Sequence, residues 1–349
     1  MKTLKHIALR IVMLAIILLG TSLIYTNYLY ESDLQEHSPV INTIREIPVE
    51  TDILYIGESS NLTSAKGDVD KRTISEMIAG HYPSLTVRDI TKVASHAGIF
   101  KSFLGAIPKE KNIKTVVVTL NLRSFGAAWI HSGLETPLQK STVLLSDQHP
   151  IVKRFLLSFK GYDHDDEQIR DHEMKQHWKN DLLTFPSNAE FTNVADWDEA
   201  MAASGKRDAE GNLDPVTDLA CHYIKAFAFQ IDTLTNPRIQ DFNEIIALAK
   251  EREWNLVFNL LGEDLEKANT LVGKDLVFLM EQNYALLLDY FKRRGVLIVD
   301  NYHAIEDAYF IDQDWTTEHY TEEGRKIVAR NVSEAIEHLH KGAFVSTSK

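Results

Sequence analysis

From Ile11 to Tyr30 the chain carries no charged side chain, and the stretch Ile11-Val-Met-Leu-Ala-Ile-Ile-Leu-Leu19 is continuously apolar. A helix rises ~1.5 Å per residue, so this run spans ~30 Å, the hydrocarbon thickness of a bilayer. Lys2, Lys5 and Arg10 precede it; Glu31, Asp33 and Glu36 come after it. Tyr25, Tyr28 and Tyr30 sit at its far end, where amphipathic rings suit the membrane–water boundary. Basic before and acidic after orients the N-terminus to the cytoplasm and the remainder outside. A cleaved signal peptide would show a shorter apolar run and a small-x-small site. Thr21-Ser22 and Thr26-Asn27 are poor candidates for one, so residues 1–30 read as an uncleaved signal anchor in the inner membrane. A lipoprotein is excluded, because the sole cysteine, Cys221, lies far downstream of the run.

The 349-residue chain has ordinary globular usage, with 44% apolar and 25% charged residues, which excludes wholesale disorder. With 50 acidic against 37 basic side chains, the net charge is −13. That balance excludes the basic face a nucleic-acid binder needs. One cysteine excludes an intramolecular disulfide and any CxxC metal site.

Residues 31–50 are polar, contain Pro39 and Pro48, and read as a stalk into a domain over 51–349. Within it, short apolar runs read as strands at 52–57, 85–90, 113–120, 254–259 and 295–300. Helical spacing appears over 71–81, 98–104, 241–253, 271–294 and 322–340. Residues 124–236 break this rhythm and read as a mostly helical insertion. Strands alternating with helices predict an α/β fold: three layers, α/β/α, around a mostly parallel sheet.

Ligands bind such sheets beyond the carboxyl ends of the strands. The first strand is followed by Gly57-Glu58-Ser59, the second by Ser95-His96-Ala97-Gly98, and the third by Asn121-Leu122-Arg123. Near the C-terminus stand Asp312, Asp314, Glu318 and His319, with Gly324 opening a helix. This ordering resembles the SGNH (GDSL-like) hydrolase family. Gly57-Glu58-Ser59 is similar to its Gly-Asp-Ser block, with Glu in place of Asp; Gly98, Asn121 and His319 are similar to the other three. Thr119 stands where the usual Gly precedes the Asn. The resemblance implies Ser59 as nucleophile, His319 as base, and an oxyanion hole from the Ser59 and Gly98 N–H groups and the Asn121 amide. Arg123 is placed to meet an anionic substrate or to form a salt bridge.

The family's acid lies three residues before the His, and here that residue is Thr316. Asp314 is the favoured replacement, through a widened turn; Glu318 and Asp312 are alternatives, as is an acid-free dyad. Glu318 adjoins His319 and should face away from it. The run Asp163-His164-Asp165-Asp166 with His172, Glu173 and His177 reads as a solvated charged face. No metal or organic cofactor is expected. Trp129, Trp178, Trp197, Phe185 and Phe191 read first as a small core for the insertion and second as a sugar platform.

The architecture of anchor plus SGNH-like domain is similar to envelope acyl-transfer proteins, those of teichoic-acid D-alanylation and polysaccharide O-acetylation. That likeness implies an extracytoplasmic serine esterase or acyltransferase. Its partners would be an acylated envelope polysaccharide or acyl carrier and a membrane acyltransferase. Two rivals stand beside it: a catalytically silent SGNH-like module that binds polysaccharide or scaffolds an envelope assembly, and a tethered binding protein of unrelated α/β fold.

Overall fold

The computed structural model describes residues 2–163, 165–186, 189–312 and 314–346. Five strands form one sheet: β1 (Glu50–Gly57), β2 (Val87–Thr91), β3 (Asn112–Leu120), β4 (Asn255–Leu260) and β5 (Leu297–Asp300). Their spatial order is β2-β1-β3-β4-β5, and every neighbouring pair is parallel. The central strands β1, β3 and β4 are apolar over most of their length because both faces are covered, whereas the edge strand β2 (Val-Arg-Asp-Ile-Thr) is half polar. Successive side chains point to opposite faces. Leu54, Ile56, Val116, Val118 and Phe258 enter one core with the helices Ala97–Gly105, Pro237–Glu251 and Lys274–Lys292. Ile53, Tyr55, Val117, Val257 and Val299 enter the other with Ile74–His81 and Glu322–Ile336. The result is the three-layer α/β/α fold expected from the sequence.

After β2 the chain returns across β1 to lay down β3 on the other side. The strand order therefore reverses at β1 and β3, and a crevice opens beyond their carboxyl ends. Ser59 follows one of these strands and Asn121 the other.

Two regions differ from the sequence reading. Residues 31–50 are not a free stalk. The helix Pro39–Glu46 and the turn after it bury Ile41, Ile44 and Ile47, and the last two belong to the core that contains Ile113 and Leu104. Isoleucines three apart put one apolar stripe on an otherwise polar segment, and such a stripe is buried on contact with a core. The second difference lies upstream. The helical run Thr3–His37 reaches a mean hydropathy of 2.5, with none of that window buried, and is long and apolar enough to cross a membrane. It continues beyond the uncharged run, through a π-helical turn at Tyr25–Leu29.

Residues 124–236 contain helices at Glu135–Leu145, Pro150–Ser158, Glu167–Asn180, Val194–Ser204 and Pro215–Phe227. The insertion's aromatic residues divide into two groups. Phe185 and Phe191 both pack on the buried Trp197, whereas Trp129 and Trp178 line an open cleft. Of the acidic and histidine run, His164 lies outside the described residues. No group of three metal-ligating side chains occurs among the described residues.

Candidate active site

β1 ends in a turn that only glycine fits. A Cβ on Gly57 would lie 2.9 Å from the Tyr55 ring, 3.0 Å from Asn61 Cβ and 3.2 Å from Thr91 Oγ1. The chain then enters the single helical turn Ser59–Leu62, capped by Glu58, whose Oε1 accepts from the Ser60 N–H at 3.2 Å. Asn61 pins that turn from beneath. Its carboxamide accepts from Ser75 N–H at 2.9 Å and donates to Thr91 Oγ1 at 2.8 Å. Fully buried and bonded, Asn61 cannot accept a glycan, although Asn61-Leu62-Thr63 has the sequon form. Ser59 Oγ is thereby held at the sheet edge, and its N–H finds no acceptor among the described residues.

His319 Nε2 lies 2.9 Å from Ser59 Oγ, joining residues 260 positions apart. On the other side of the ring, His319 Nδ1 lies 2.6 Å from Asp312 Oδ2. The Thr317 hydroxyl donates to the same oxygen. The acid on the ring is therefore Asp312, which corrects the expectation of Asp314. The reason is a short antiparallel pairing: Phe310 bridges Tyr320, Ile311 N–H donates to His319 O at 2.9 Å, and Thr321 N–H to Tyr309 O at 2.9 Å. Pairing 311 with 319 brings Asp312 alongside the ring. Asp314 is carried out to the exposed tip of the loop. Counting the shortest excursion along the chain favoured Asp314, whereas cross-strand pairing decided for a residue seven positions away. The sequence did carry a signal, in the paired aromatics Phe310 and Tyr320, whose ring centroids are 5.4 Å apart across the loop's base.

The Ser59 hydroxyl has a second neighbour. Glu58 Oε2 lies 2.8 Å from it, so one hydroxyl hydrogen faces two acceptors, the Glu58 carboxylate and His319 Nε2.

The expected oxyanion donors are found in other company. Gly98 N–H donates to His96 Nδ1 at 3.1 Å, opening the helix Ala97–Gly105. A Cβ there would stand 2.8 Å from Asp241 Oδ2. Gly98 is a close-packing glycine whose N–H is already spent, and its expected place in the oxyanion hole is corrected. Asn121 Nδ2 donates to Glu318 Oε2 at 2.7 Å, which leaves one amide hydrogen, while its buried Oδ1 has no partner among the described residues. Glu318 faces away from His319, as adjacency predicts, and onto Arg123. The guanidinium grips it with Nε at 2.7 Å from Oε1 and Nη2 at 2.8 Å from Oε2. Both side chains are almost fully buried, 8% and 1% exposed, so Arg123 is committed to this ion pair and not to a substrate anion.

Sequence reasoning missed Glu263. It is buried beside this pair, and burial, then the Glu318 charge, push its carboxyl well above the usual range against the opposing pull of Arg123. Glu263 opens the charged stretch Glu263-Asp264-Leu265-Glu266-Lys267 after β4, which reads as an ordinary helix start and does not single it out. The loop after β2 also holds Ala94 in the left-handed region (φ 59°) and a buried Ser95 hydroxyl with no partner among the described residues.

A cleft of about 350 Å³ adjoins the site. Trp129, Trp178 and Trp315 line it together with Arg123, His222 and Lys225. Trp315 and Thr316, which form part of its wall, belong to the same loop that carries Asp312 and His319. The Arg123 guanidinium sits 4.8 Å from the Trp129 ring centre, and Trp315 packs 4.2 Å from the His222 ring.

No family model matches the chain, and no curated protein matches it. Among solved structures it is similar to an acetylxylan esterase, Axe2, from Geobacillus stearothermophilus, with 11% identity and a TM-score of 0.38 over 82% of this chain and 94% of that one. It is also similar to a lipase/acylhydrolase from Enterococcus faecalis, at 9% identity and a TM-score of 0.34, covering 83% and 96%. Identities and scores this low carry no chemistry over to this chain.

Proposed function

We propose that this protein is a membrane-anchored, extracytoplasmic serine esterase or acyltransferase of the SGNH type. The observation that carries the reading is the Asp312–His319–Ser59 chain of contacts, 2.6 and 2.9 Å long, at the point where the strand order reverses. A serine hydroxyl is a weak nucleophile until a neighbouring base accepts its proton. His319 Nε2 takes the Ser59 proton as Oγ attacks an ester carbonyl. Asp312 fixes the tautomer with hydrogen on Nδ1 and stabilises the imidazolium. His319 then returns the proton to the leaving alkoxide, and water or an acceptor hydroxyl releases the acyl group by the same steps in reverse. The oxyanion is met by the Ser59 N–H and the second amide hydrogen of Asn121, whose orientation Glu318 and Arg123 hold. One such donor is worth ~3–4 kcal/mol.

The substrate class is an acyl ester on an envelope polysaccharide or its carrier. Support for this comes from the cleft, where three indole rings contribute to walls suited to sugar rings. The anchor helix supports an envelope location. A fluorophosphonate probe applied to the full chain in membranes tests the chemistry: labelling lost in Ser59→Ala supports the reading, and absence of labelling in the native protein removes it. A reporter active only outside the cytoplasm, fused after residue 349, tests the orientation.

A second reading, a silent polysaccharide-binding module, draws on the Asn121 amide held by Glu318 and on the competition of Glu58 for the Ser59 hydroxyl. The same probe separates the two, since only an activated serine reacts.

A further inference from the structure

The helix Pro150–Ser158 packs on its neighbours through the half-buried Ile151, Leu156 and Leu157 and leaves the rest of its apolar surface in the open. It reads Pro-Ile-Val-Lys-Arg-Phe-Leu-Leu-Ser and continues into Phe159, yet none of its residues is buried. Phe155 is 60% exposed and Phe159 72%, with ring centroids 4.6 Å apart. Each phenylalanine left in water forgoes the ~1.5–3 kcal/mol that full burial brings. Apolar surface gathered in this way marks a contact site.

Its position indicates the partner. The helix packs against the π-helical turn Tyr25–Leu29. Lys153 Nζ lies 3.3 Å from the Tyr30 hydroxyl, and Arg154 reaches within 4.0 Å of Asp33. Tyr25 to Tyr30 form the outer end of the uncharged N-terminal run, the level at which tyrosines meet the headgroups, and Asp33 lies just beyond it. From Gln148 to Tyr162 the segment carries Lys153, Arg154 and Lys160 and no acid. Cationic side chains on a helix with exposed phenylalanines fit the boundary of an anionic bilayer. A second copy fits less well, because two rings and a valine fall far short of the ~800 Å² per side of a standard protein interface.

We infer that the Pro150–Ser158 helix lies along the lipid surface beside the exit of the anchor helix, with Phe155 and Phe159 in the acyl–headgroup boundary. The inference rests on the reading of residues 11–30 as a membrane span. It gives the domain a second attachment, so that the catalytic edge is held at a fixed attitude to the bilayer instead of swinging on a single helix.

The test uses the full chain in nanodiscs of phosphatidylcholine and phosphatidylglycerol, with a fluorophore on a single introduced cysteine. Cys221 is buried, and burial pushes its thiol up to about 12, so the introduced thiol is the one labelled. Labels go to Phe155→Cys and Phe159→Cys, with Lys179→Cys as the water-exposed control and Leu14→Cys as the span control. Retained fluorophosphonate labelling reports that each variant is folded. Spin-labelled lipid is expected to quench positions 155 and 159 at least about threefold more than 179, approaching position 14. Quenching at 155 and 159 no greater than at 179, with position 14 strongly quenched, overturns the inference and leaves the anchor standing. Cysteine crosslinks between copies at 155 or 159 overturn it in favour of a protein interface. An unquenched position 14 removes the anchor reading and this inference with it.

Discussion

Two histidines in this protein each lie 2.6 Å from a carboxylate, His319 from Asp312 and His96 from Glu135. Both stand on loops near the carboxyl edge of the sheet, and the difference lies at the other ring nitrogen. His319 Nε2 faces the Ser59 hydroxyl. His96 Nδ1 accepts the Gly98 N–H, a bond that starts a helix. The surroundings diverge in the same sense. The His319 side chain is 18% exposed and that of His96 only 3%. Arg238 shares Glu135 and also pairs with Asp241. Burial and the Arg238 charge push the His96 pKa below the usual imidazole value, against the pull of Glu135. A histidine–carboxylate pair is therefore not a catalytic unit by itself. On the proposed reading it becomes one when the far nitrogen meets a serine hydroxyl, as at His319; with a backbone N–H there, the same pair fastens the insertion to the loop after β2.

The largest effects should fall on the first pair. Ser59→Ala and His319→Ala are each expected to lower ester hydrolysis by about four orders of magnitude or more, with the double variant no worse than either single. Multiplicative losses in steady-state rates would mean that the two do not act together. Asp312→Asn is expected to cost about two to four orders, because the amide favours the wrong tautomer, while Asp314→Asn stays within a few-fold of wild type. Comparing kcat of these two variants distinguishes the hydrogen-bonded acid from the exposed one at the loop tip.

The second pair should respond in stability. His96→Ala removes the cap on Gly98 and leaves Glu135 with Arg238 alone. A loss of about 1–3 kcal/mol in urea unfolding is expected, with hydrolysis per folded molecule within about tenfold of wild type. A catalytic collapse at unchanged stability would place His96 in the reaction and dissolve the contrast.

The smallest effect concerns Glu263, whose carboxyl is held well above its usual value by burial and by Glu318. A carboxyl whose pKa rises on folding binds more protons in the folded state, so its stabilising contribution is complete below the unfolded value and is lost as pH climbs toward the folded one. Glu263→Gln has nothing to titrate. Its stability relative to wild type should therefore grow steadily as pH rises above the ordinary carboxyl range, as read from urea midpoints. A difference independent of pH would mean that Glu263 is already ionised beside Glu318.

The sequence alone determined the layers. Period-two and period-3.6 apolar patterns are local, and strands such as 113–120 lie within a residue of their observed bounds because burial on both sheet faces demands continuous apolar runs. It also determined the uncharged helix, and the order in which Ser59, Gly98, Asn121 and His319 succeed their strands. Tertiary structure decided which of these groups are free to act. Gly98 and Arg123 look equally available in a linear reading, but their hydrogen-bonding capacity is taken by His96 and Glu318, partners 2 and 195 residues distant. The carboxylate that lies on the His319 ring was decided in the same way. Distance along the chain favoured Asp314, and the pairing of Ile311 with His319 chose Asp312, because a backbone ladder sets which side chains are neighbours before any charge can do so. Local pattern is written residue by residue, whereas a hydrogen bond needs both of its ends, and in this site the second end was supplied by the fold.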